Sequence, residues 1–318
     1  MNVAMCARVV FPATTTRGVL ELRQITSCKA TTRISDICQR ATLVLPRRIT
    51  ALRNKELRTF IRRNDPVIIE LGYNGNLREE FRGYVSQVGA GIPVNIECRD
   101  DLFPVLQLPF NKSYENCHVP TLIREIIPAQ FPVDVLDVTI GPQAFKKVTV
   151  GEALKYLSDE FGMYTFLKKG TVFCGKRFDA NATTYIYKLE ENVKADDLTY
   201  KNADEIRVKI EATSVKADGT RIKVEIGDED GDIQKLSYFG IASESELRKL
   251  AEIDLEKFKF TGYEGTITGY GNPYAEMADY AELRSTQFPD RDATVLIEGV
   301  EKEFDKGYSR KLTLGGSI

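Results

Sequence analysis

The sequence predicts an α+β, mainly β fold: two related antiparallel β-barrels, a small α/β domain between them, and a helical insertion in the second barrel. Three observations predict it. Short alternating apolar runs punctuated by Gly and Asn fill both ends of the chain, helical spacing with a capping box marks the middle, and the two β-rich ends share a pattern. The expected boundaries are 1–100 for the first barrel, 101–178 for the α/β domain, and 179–318 for the second barrel. A helix-containing insertion is expected around 228–262.

In the first part, Gly18 to Ile25 alternates apolar and polar residues, and Ala41 to Leu45 gives a second run ending at Pro46. Pro66 to Leu71 follows, then a turn at Gly72-Tyr73-Asn74-Gly75-Asn76, the run Leu77 to Val88, a Gly89-Ala90-Gly91 break and Pro93 to Arg99. Short strands so spaced suit an antiparallel barrel or sandwich. From residue 101 the period changes. Val119 to Ile127 has helical spacing and stops before Pro128. Thr149 with Glu152 forms a capping box ahead of Leu154, Leu157 and Phe161, and Gly162 supplies the stop. Met163 to Leu167, the turn Lys168-Lys169-Gly170 and Thr171 to Cys174 read as a hairpin.

Residues 179–204 are polar and carry one expected strand, Tyr185 to Leu189. Ile206 to Lys216 and Arg221 to Ile226 flank Asp218-Gly219, a strong short-range hairpin signal. Ile233 to Phe239 is a third strand. Ser243 and Glu246 form a second capping box, and Leu247, Leu250, Ala251, Leu255 and Phe258 make the apolar stripe of a helix ending near Phe260. Strands return at Glu264 to Tyr270, Tyr280 to Arg284, Ala293 to Phe304 and Ser309 to Leu314. The ends of the two β regions look alike. Asp65 to Leu71 precedes Phe81-Arg82-Gly83-Tyr84-Val85, and Asp279 to Leu283 precedes Ile297-Glu298-Gly299-Val300, with Asp-to-Gly separations of 18 and 20 residues.

Composition narrows the function. Across 318 residues, 44 Lys and Arg against 46 Asp and Glu leave a net charge of −2, without the basic excess that backbone binding to nucleic acid needs. No apolar run approaches the length of a membrane span, and Met1 to Phe11 lacks the features of a secretory signal. The six cysteines (6, 28, 38, 98, 117, 174) show no metal-type spacing and are expected to be reduced, mostly buried small hydrophobes. The only histidine, His118, follows Cys117, but neighbours on a strand point to opposite faces, so the pair is not expected to act as nucleophile and base. Gly227-Asp228-Glu229-Asp230-Gly231-Asp232 lacks the order of a calcium loop and reads as a solvated turn. Gly269-Tyr270-Gly271-Asn272-Pro273 reads as a turn because no phosphate cradle surrounds it. The basic stretch Arg47 to Arg63 reads as a solvated face, with a contact surface for an acidic neighbouring protein as the first functional alternative and guidance of DNA as the second. No catalytic, cofactor-binding or metal-ligating residue is expected.

The run Asp65 to Asp101, with Thr42-Leu43-Val44-Leu45-Pro46-Arg47 before it, resembles the first barrel of phage tail baseplate hub proteins. That group includes the late control protein D family and the hub part of type VI secretion spike proteins. Thr149 to Gly175 is similar to its small α/β domain. The helix 243–260 with Gly262 to Thr268, Gly271-Asn272-Pro273, Ala278-Asp279, Gly299-Val300 and Leu312-Thr313-Leu314 resembles its second barrel. The sequence departs from the family at Asn64 and Ala278, which stand where Gly usually precedes the Asp; a non-glycine residue there needs another turn, or Asn in a left-handed one. The resemblance implies a virion structural protein. It would form a homotrimeric ring of six barrels, joining a sixfold tail tube to a threefold spike supplied by a separate protein. Its partners would be the spike, tube and baseplate proteins, with DNA only passing through the channel. The competing readings are a hub of a type VI-like contractile injection system, an OB-like module for carbohydrate or single strands, and a cell-wall hydrolase.

Overall fold

The computed structural model describes residues 4–46, 60–175, 181–202, 204–215, 220–239, 241, 243–259 and 262–317. The first part carries β1 (Met5–Phe11), β2 (Leu20–Leu22), β3 (Ser27–Arg33), β4 (Arg40–Leu45), β5 (Pro66–Tyr73), β6 (Asn76–Val88) and β7 (Val94–Arg99). The middle carries α1 (Phe103–Leu106), β8 (Pro109–Tyr114), β9 (Cys117–His118), α2 (Val119–Ile126), β10 (Val133–Val135), β11 (Thr139–Ile140), β12 (Gln143–Thr149), α3 (Val150–Phe161), β13 (Thr165–Lys168) and β14 (Thr171–Cys174). The last part carries β15 (Thr184–Lys188), β16 (Val193–Lys201), β17 (Val208–Val215), β18 (Arg221–Gly227), β19 (Asp232–Phe239), α4 (Glu244–Phe258), β20 (Gly262–Tyr270), β21 (Tyr280–Arg284), β22 (Ala293–Phe304) and β23 (Tyr308–Ser317). The protein is α+β and mainly antiparallel β. No described helix is long and apolar enough to cross a membrane.

The two β-rich parts are joined by backbone pairing. One 13-stranded sheet runs β16-β20-β23-β22-β3-β4-β7-β6-β5-β1-β2, with β21 on β22 and β15 on β21. Its seam is the antiparallel pair β22 and β3, from Gly299 opposite Arg33 to Phe304 opposite Cys28. Within the sheet the order β16-β20-β23-β22-β21 reproduces β3-β4-β7-β6-β5. A bulge repeats as well. Val85 faces Cys98 and Gln87 faces Glu97, leaving Ser86 extra; Ile297 faces Leu314 and Gly299 faces Thr313, leaving Glu298 extra. The repeat breaks at its end, because β1 runs antiparallel to β5 while β15 runs parallel to β21.

These registers correct one sequence-level match. With Val85 equivalent to Ile297, Gly83 corresponds to Val295: the first lies opposite Val67, the second opposite Ala281. The two glycines that suggested the repeat are therefore not counterparts. The repeat lies in hydrogen-bond geometry, which tolerates wide change of side chain.

Besides β8 to β12 of the middle segment, three strands of the long sheet escaped sequence reading, and these three did so for a common reason. β1 and β16 (Val-Lys-Ala-Asp-Asp-Leu-Thr-Tyr-Lys) show little apolar alternation, and β3 alternates only small buried residues, Cys28, Ala30 and Thr32. The expected strand at Gly18 to Ile25 is reduced to β2. The three-stranded sheet β18-β17-β19 has the expected hairpin, with Val215 opposite Arg221, but β19 joins β17 in parallel. The residues of the Asp218-Gly219 turn lie outside those described.

Helix α3 forms as its sequence dictates. Thr149 Oγ1 accepts from the Glu152 N–H, the Glu152 carboxylate accepts from the Thr149 N–H at 2.7 Å, and Gly162 closes the helix at φ 65°. Helix α4 keeps half of its expected box. Ser243 caps the Glu246 N–H, but the Glu246 carboxylate turns to the Thr139 N–H at 3.3 Å in the middle segment. The insertion thus leans on the middle segment. Leu247, Leu250 and Ala251 of α4, with Ile210 and Ala212 of β17, join Leu122, Leu154 and Leu157 in one apolar cluster. Each fully buried Leu contributes about 2 kcal/mol. Separate clusters fill the two halves of the long sheet, around Leu43, Val67, Ile69 and Ile96 in the first and around Ile267, Leu283, Ile297 and Leu312 in the second.

Candidate functional site

The densest chemistry in the described residues lies at the seam between the halves. Strand alternation carries two cations to the inner face of the second half: Lys302 sits between Val300 and Phe304 on β22, and Arg310 between Tyr308 and Leu312 on β23. The first half answers with a carboxylate aimed by a bulge. Ile69 faces Phe81 and Glu70 faces Glu79, so Glu80 is extra and turns inward beside Phe81.

Arg310 Nη2 lies 2.7 Å from both Glu80 carboxylate oxygens. Lys302 Nζ is 3.0 Å from Glu80 Oε2 and 2.8 Å from Glu276 Oε1, and it donates to the Glu80 carbonyl at 2.9 Å. The Tyr308 hydroxyl donates to Glu80 Oε1 at 2.7 Å. Arg310 spends its remaining donors on the carbonyls of Gly271 and Ala275. The side chains of Glu80, Lys302 and Arg310 are 1–2% exposed. Burial works against the charged form of Glu80, but Lys302 and Arg310 outweigh it and hold the carboxyl below its usual value. Burial likewise opposes the Arg310 charge, and Glu80 and Glu276 reverse the balance. A second link crosses beside it: the Tyr73 hydroxyl donates to the Tyr308 carbonyl at 2.8 Å and accepts from the Gly271 N–H at 3.2 Å. The arrangement fixes one half against the other, since a charge left alone there is costly.

The middle segment is pinned at the same place. Lys168 of β13 donates to Asp279 Oδ1 and to the Ala278 carbonyl, each at 2.8 Å, with both charged groups 0–2% exposed. Ala278 and Asp279 form a turn that the first half repeats at Asn64 and Asp65. Asn64 and Ala278 both adopt left-handed backbones, φ 69° and 57°. Asn64 N–H donates to Val85 O and Val85 N–H to Asp65 O; Ala278 N–H donates to Ile297 O and Ile297 N–H to Asp279 O. Each Asp side chain accepts from the N–H three residues earlier, Arg62 or Glu276. The two sequence departures thus retain the glycine-like turn: Asn tolerates it, while the Ala278 turn is held by its own hydrogen bonds and by Lys168.

The residues singled out from sequence fall elsewhere. Cys117 is buried, its thiol pushed up to about 12 by burial, while half-exposed His118 stands at the N-cap position of α2 without a side-chain bond to its backbone, its ring nitrogens meeting Thr121 Oγ1 at 2.8 Å and Asp137 Oδ1 at 2.9 Å. Asp228 is held by Lys259 at 2.6 Å and caps the Val208 N–H, and Asp230 pairs with Arg207. Gly271 to Pro273 forms a loop under the seam, with the Gly271 carbonyl bound by Arg310. Of Arg47 to Arg63, residues 47–59 lie outside those described. Ile61 is buried, and Arg63 donates to Gln107. Cys28, Cys98 and Cys174 are buried with Cys117, whereas half-buried Cys38 donates to Asp100. Sequence reading missed Glu80, Lys302 and Arg310. Their signal was present, as charged residues at apolar positions of alternating strands and a broken period at Glu79-Glu80-Phe81.

No family model matches the sequence, and no curated protein matches it. Solved structures do. A tail protein from Neisseria meningitidis aligns over 98% of this chain and 96% of its own at a TM-score of 0.66 and 14% identity. The 43 kDa tail protein of prophage MuSo2 from Shewanella oneidensis aligns over 97% of both chains at a TM-score of 0.61 and 13% identity. An E. coli component of the type VI secretion system, itself described as similar to T4 bacteriophage tail proteins, aligns over 92% of this chain and 74% of its own at a TM-score of 0.59 and 10% identity. The chain therefore has, over nearly its whole length, the fold of phage tail proteins and of their type VI secretion relatives.

Proposed function

We propose that this chain is a structural hub subunit of a phage or prophage tail baseplate, three copies of which close a ring between a sixfold tail tube and a threefold spike. The observation that carries the reading is the repeat within the chain: the same strand order, the same bulge and the same left-handed turn in both halves. Two alike halves per chain give six repeats from three chains, so one ring can meet sixfold symmetry on one face and threefold on the other. The buried charges at the seam suit this role, because a ring closes only if the halves keep a fixed angle. The work would be done by shape, without catalysis. The partners would be spike, tube and baseplate proteins, the channel would pass DNA, and the site of action would be the virion. The likeness to a type VI secretion component favours a second reading, a hub in such a device, with the same ring and other partners.

Size-exclusion chromatography with light scattering tests the ring. The expected mass is close to three times 35.8 kDa. A monomer at high concentration that stays monomeric with its spike protein present overturns the reading.

A further inference from the structure

We propose that Asp100 is a proton-operated latch. With its carboxyl protonated, the β3–β4 turn and the start of the middle segment are locked together; with it ionised, that junction opens more often. The latch is independent of the ring reading and governs how firmly the middle segment is held.

The junction is built on one side chain. Asp100 follows β7, and its carboxylate accepts from the Gln39 N–H at 2.7 Å, from the Leu102 N–H at 3.0 Å and from the Cys38 thiol at 3.1 Å. Leu102 opens the middle segment just before α1, while Cys38 and Gln39 end the β3–β4 turn. Gln39, 3% exposed, closes that turn by accepting from the Arg33 N–H and donating to the Arg33 and Asp36 carbonyls. The same turn carries Ile34 into a cluster with Phe166 and Phe173 of the middle segment and with Met277 and Leu296 of the second half. The Ile34 N–H also donates to the Glu298 carbonyl at 2.9 Å. One carboxylate therefore ties down the place where all three parts of the chain meet.

Its surroundings set Asp100 apart. Among the described residues three carboxylates are buried, Glu80, Asp100 and Asp279. Glu80 meets Lys302 and Arg310, and Asp279 meets Lys168, but Asp100 has no described cation within ion-pair distance. It lines an open cleft of about 490 Å³ between the three parts of the chain. The cations of that cleft are committed elsewhere: Arg82 to Glu79, Lys168 to Asp279, and Lys302 to Glu80 and Glu276. Lys169 lies exposed at the tip of the β13–β14 turn, and Asp36 of the β3–β4 turn pairs with Arg40. On its own segment, Arg99 acts on the Cys38 thiol, and half-buried Asp101 repels the Asp100 charge. A buried carboxylate without a counter-cation favours its neutral form.

The junction keeps its bonds in both forms. Burial and the Asp100 charge push the Cys38 thiol up, so it remains a donor. When Asp100 Oδ1 takes a proton, that O–H can donate to Cys38 Sγ while the thiol turns to the Gln39 carbonyl, 3.8 Å away. Burial pushes the closed carboxyl up to about 6 against its three hydrogen bonds, whereas in an opened junction the solvated carboxyl titrates near its ordinary 3.8. The closed form thus holds its proton to higher pH. It is favoured most below about pH 4, and opening rises through about pH 6 to a plateau. From pH 5 to pH 8 the open fraction should rise ~10-fold.

Hydrogen exchange on the full chain reads the latch, because the backbone amides of Gln39 and Leu102 are freed only when it opens. Corrected for the intrinsic exchange rate at each pH, their protection should fall ~10-fold from pH 5 to pH 8, while the amides of α3 stay level. In Asp100→Asn the Gln39 and Leu102 amides should show no pH trend. Cys38→Ala, which takes one bond from the ionised form, should move the wild-type fall to higher pH. Level protection in the wild type overturns the latch even if Asp100→Asn does not fold. A fall shared by α3 makes the opening global, and a fall kept in Asp100→Asn assigns it to another group; either result also overturns the latch.

Discussion

Replacing Glu80 by Gln tests the seam most directly. The change keeps shape and removes the one charge that Arg310, Lys302 and Tyr308 share, at distances of 2.7–3.0 Å. Glu276 alone then faces two cations whose side chains are 1–2% exposed. Removing one partner of a buried ion cluster costs about 3–5 kcal/mol, a large part of a typical folding free energy of about 5–15 kcal/mol. With a urea m-value of about 3 kcal/mol/M, the unfolding midpoint should fall by about 1–1.7 M. The chain has no Trp and 14 Tyr, so far-ultraviolet circular dichroism and tyrosine fluorescence are the probes. The control is Glu79→Gln, one residue away, whose carboxylate meets Arg82 at the surface. An exposed pair of that kind is worth about 0–1 kcal/mol. The triple change Glu80→Met, Lys302→Leu, Arg310→Met removes the charges together and should recover most of the loss, because the desolvation cost disappears with them. If Glu80→Gln shifts the midpoint no further than Glu79→Gln does, the argument that this cluster holds the halves together is wrong.

Two further outcomes are expected. Asp100 is 4% exposed, and burial pushes its carboxyl from 3.8 up to about 6 against hydrogen bonds from Gln39, Cys38 and Leu102. A raised folded value favours the native state below about pH 4, and that contribution is lost as pH rises through 6. Measured by urea unfolding, Asp100→Asn should therefore gain roughly 3 kcal/mol on the wild type between pH 4 and pH 8, whatever its constant offset; a pH-independent difference refutes this. At Asn64, φ 69°, Asn64→Ala should lower stability by about 1 kcal/mol while Asn64→Gly stays within about 0.5 kcal/mol of the wild type. Equal losses in the two variants would show that the side chain and not the backbone decides.

Local structure was legible where side chain and backbone say the same thing. Thr149, Glu152 and Gly162 announced α3, and the alternating runs at 66–71, 77–88 and 293–304 announced β5, β6 and β22, because period and caps are properties of neighbours in the chain. The family resemblance, drawn on turn patterns in order, pointed to the fold that the solved tail proteins share. The polar edge strand β16 and the small-residue strand β3 were not legible, since pairing partners far along the chain decide them.

What the sequence determined alone was the mainly β character, the helices at 119–127 and 149–162, and a left-handed option at Asn64; that Ala278 keeps the same left-handed turn was decided by the structure. Only the tertiary structure decided which charges face each other. Glu80 and Arg310 are 230 residues apart and meet at 2.7 Å because a bulge in one strand and plain alternation in another converge on one seam. It also separated real repetition from apparent repetition, pairing Gly83 with Val295 and not with Gly299, because a strand's register is set by backbone hydrogen bonds to a distant partner that sequence spacing does not contain.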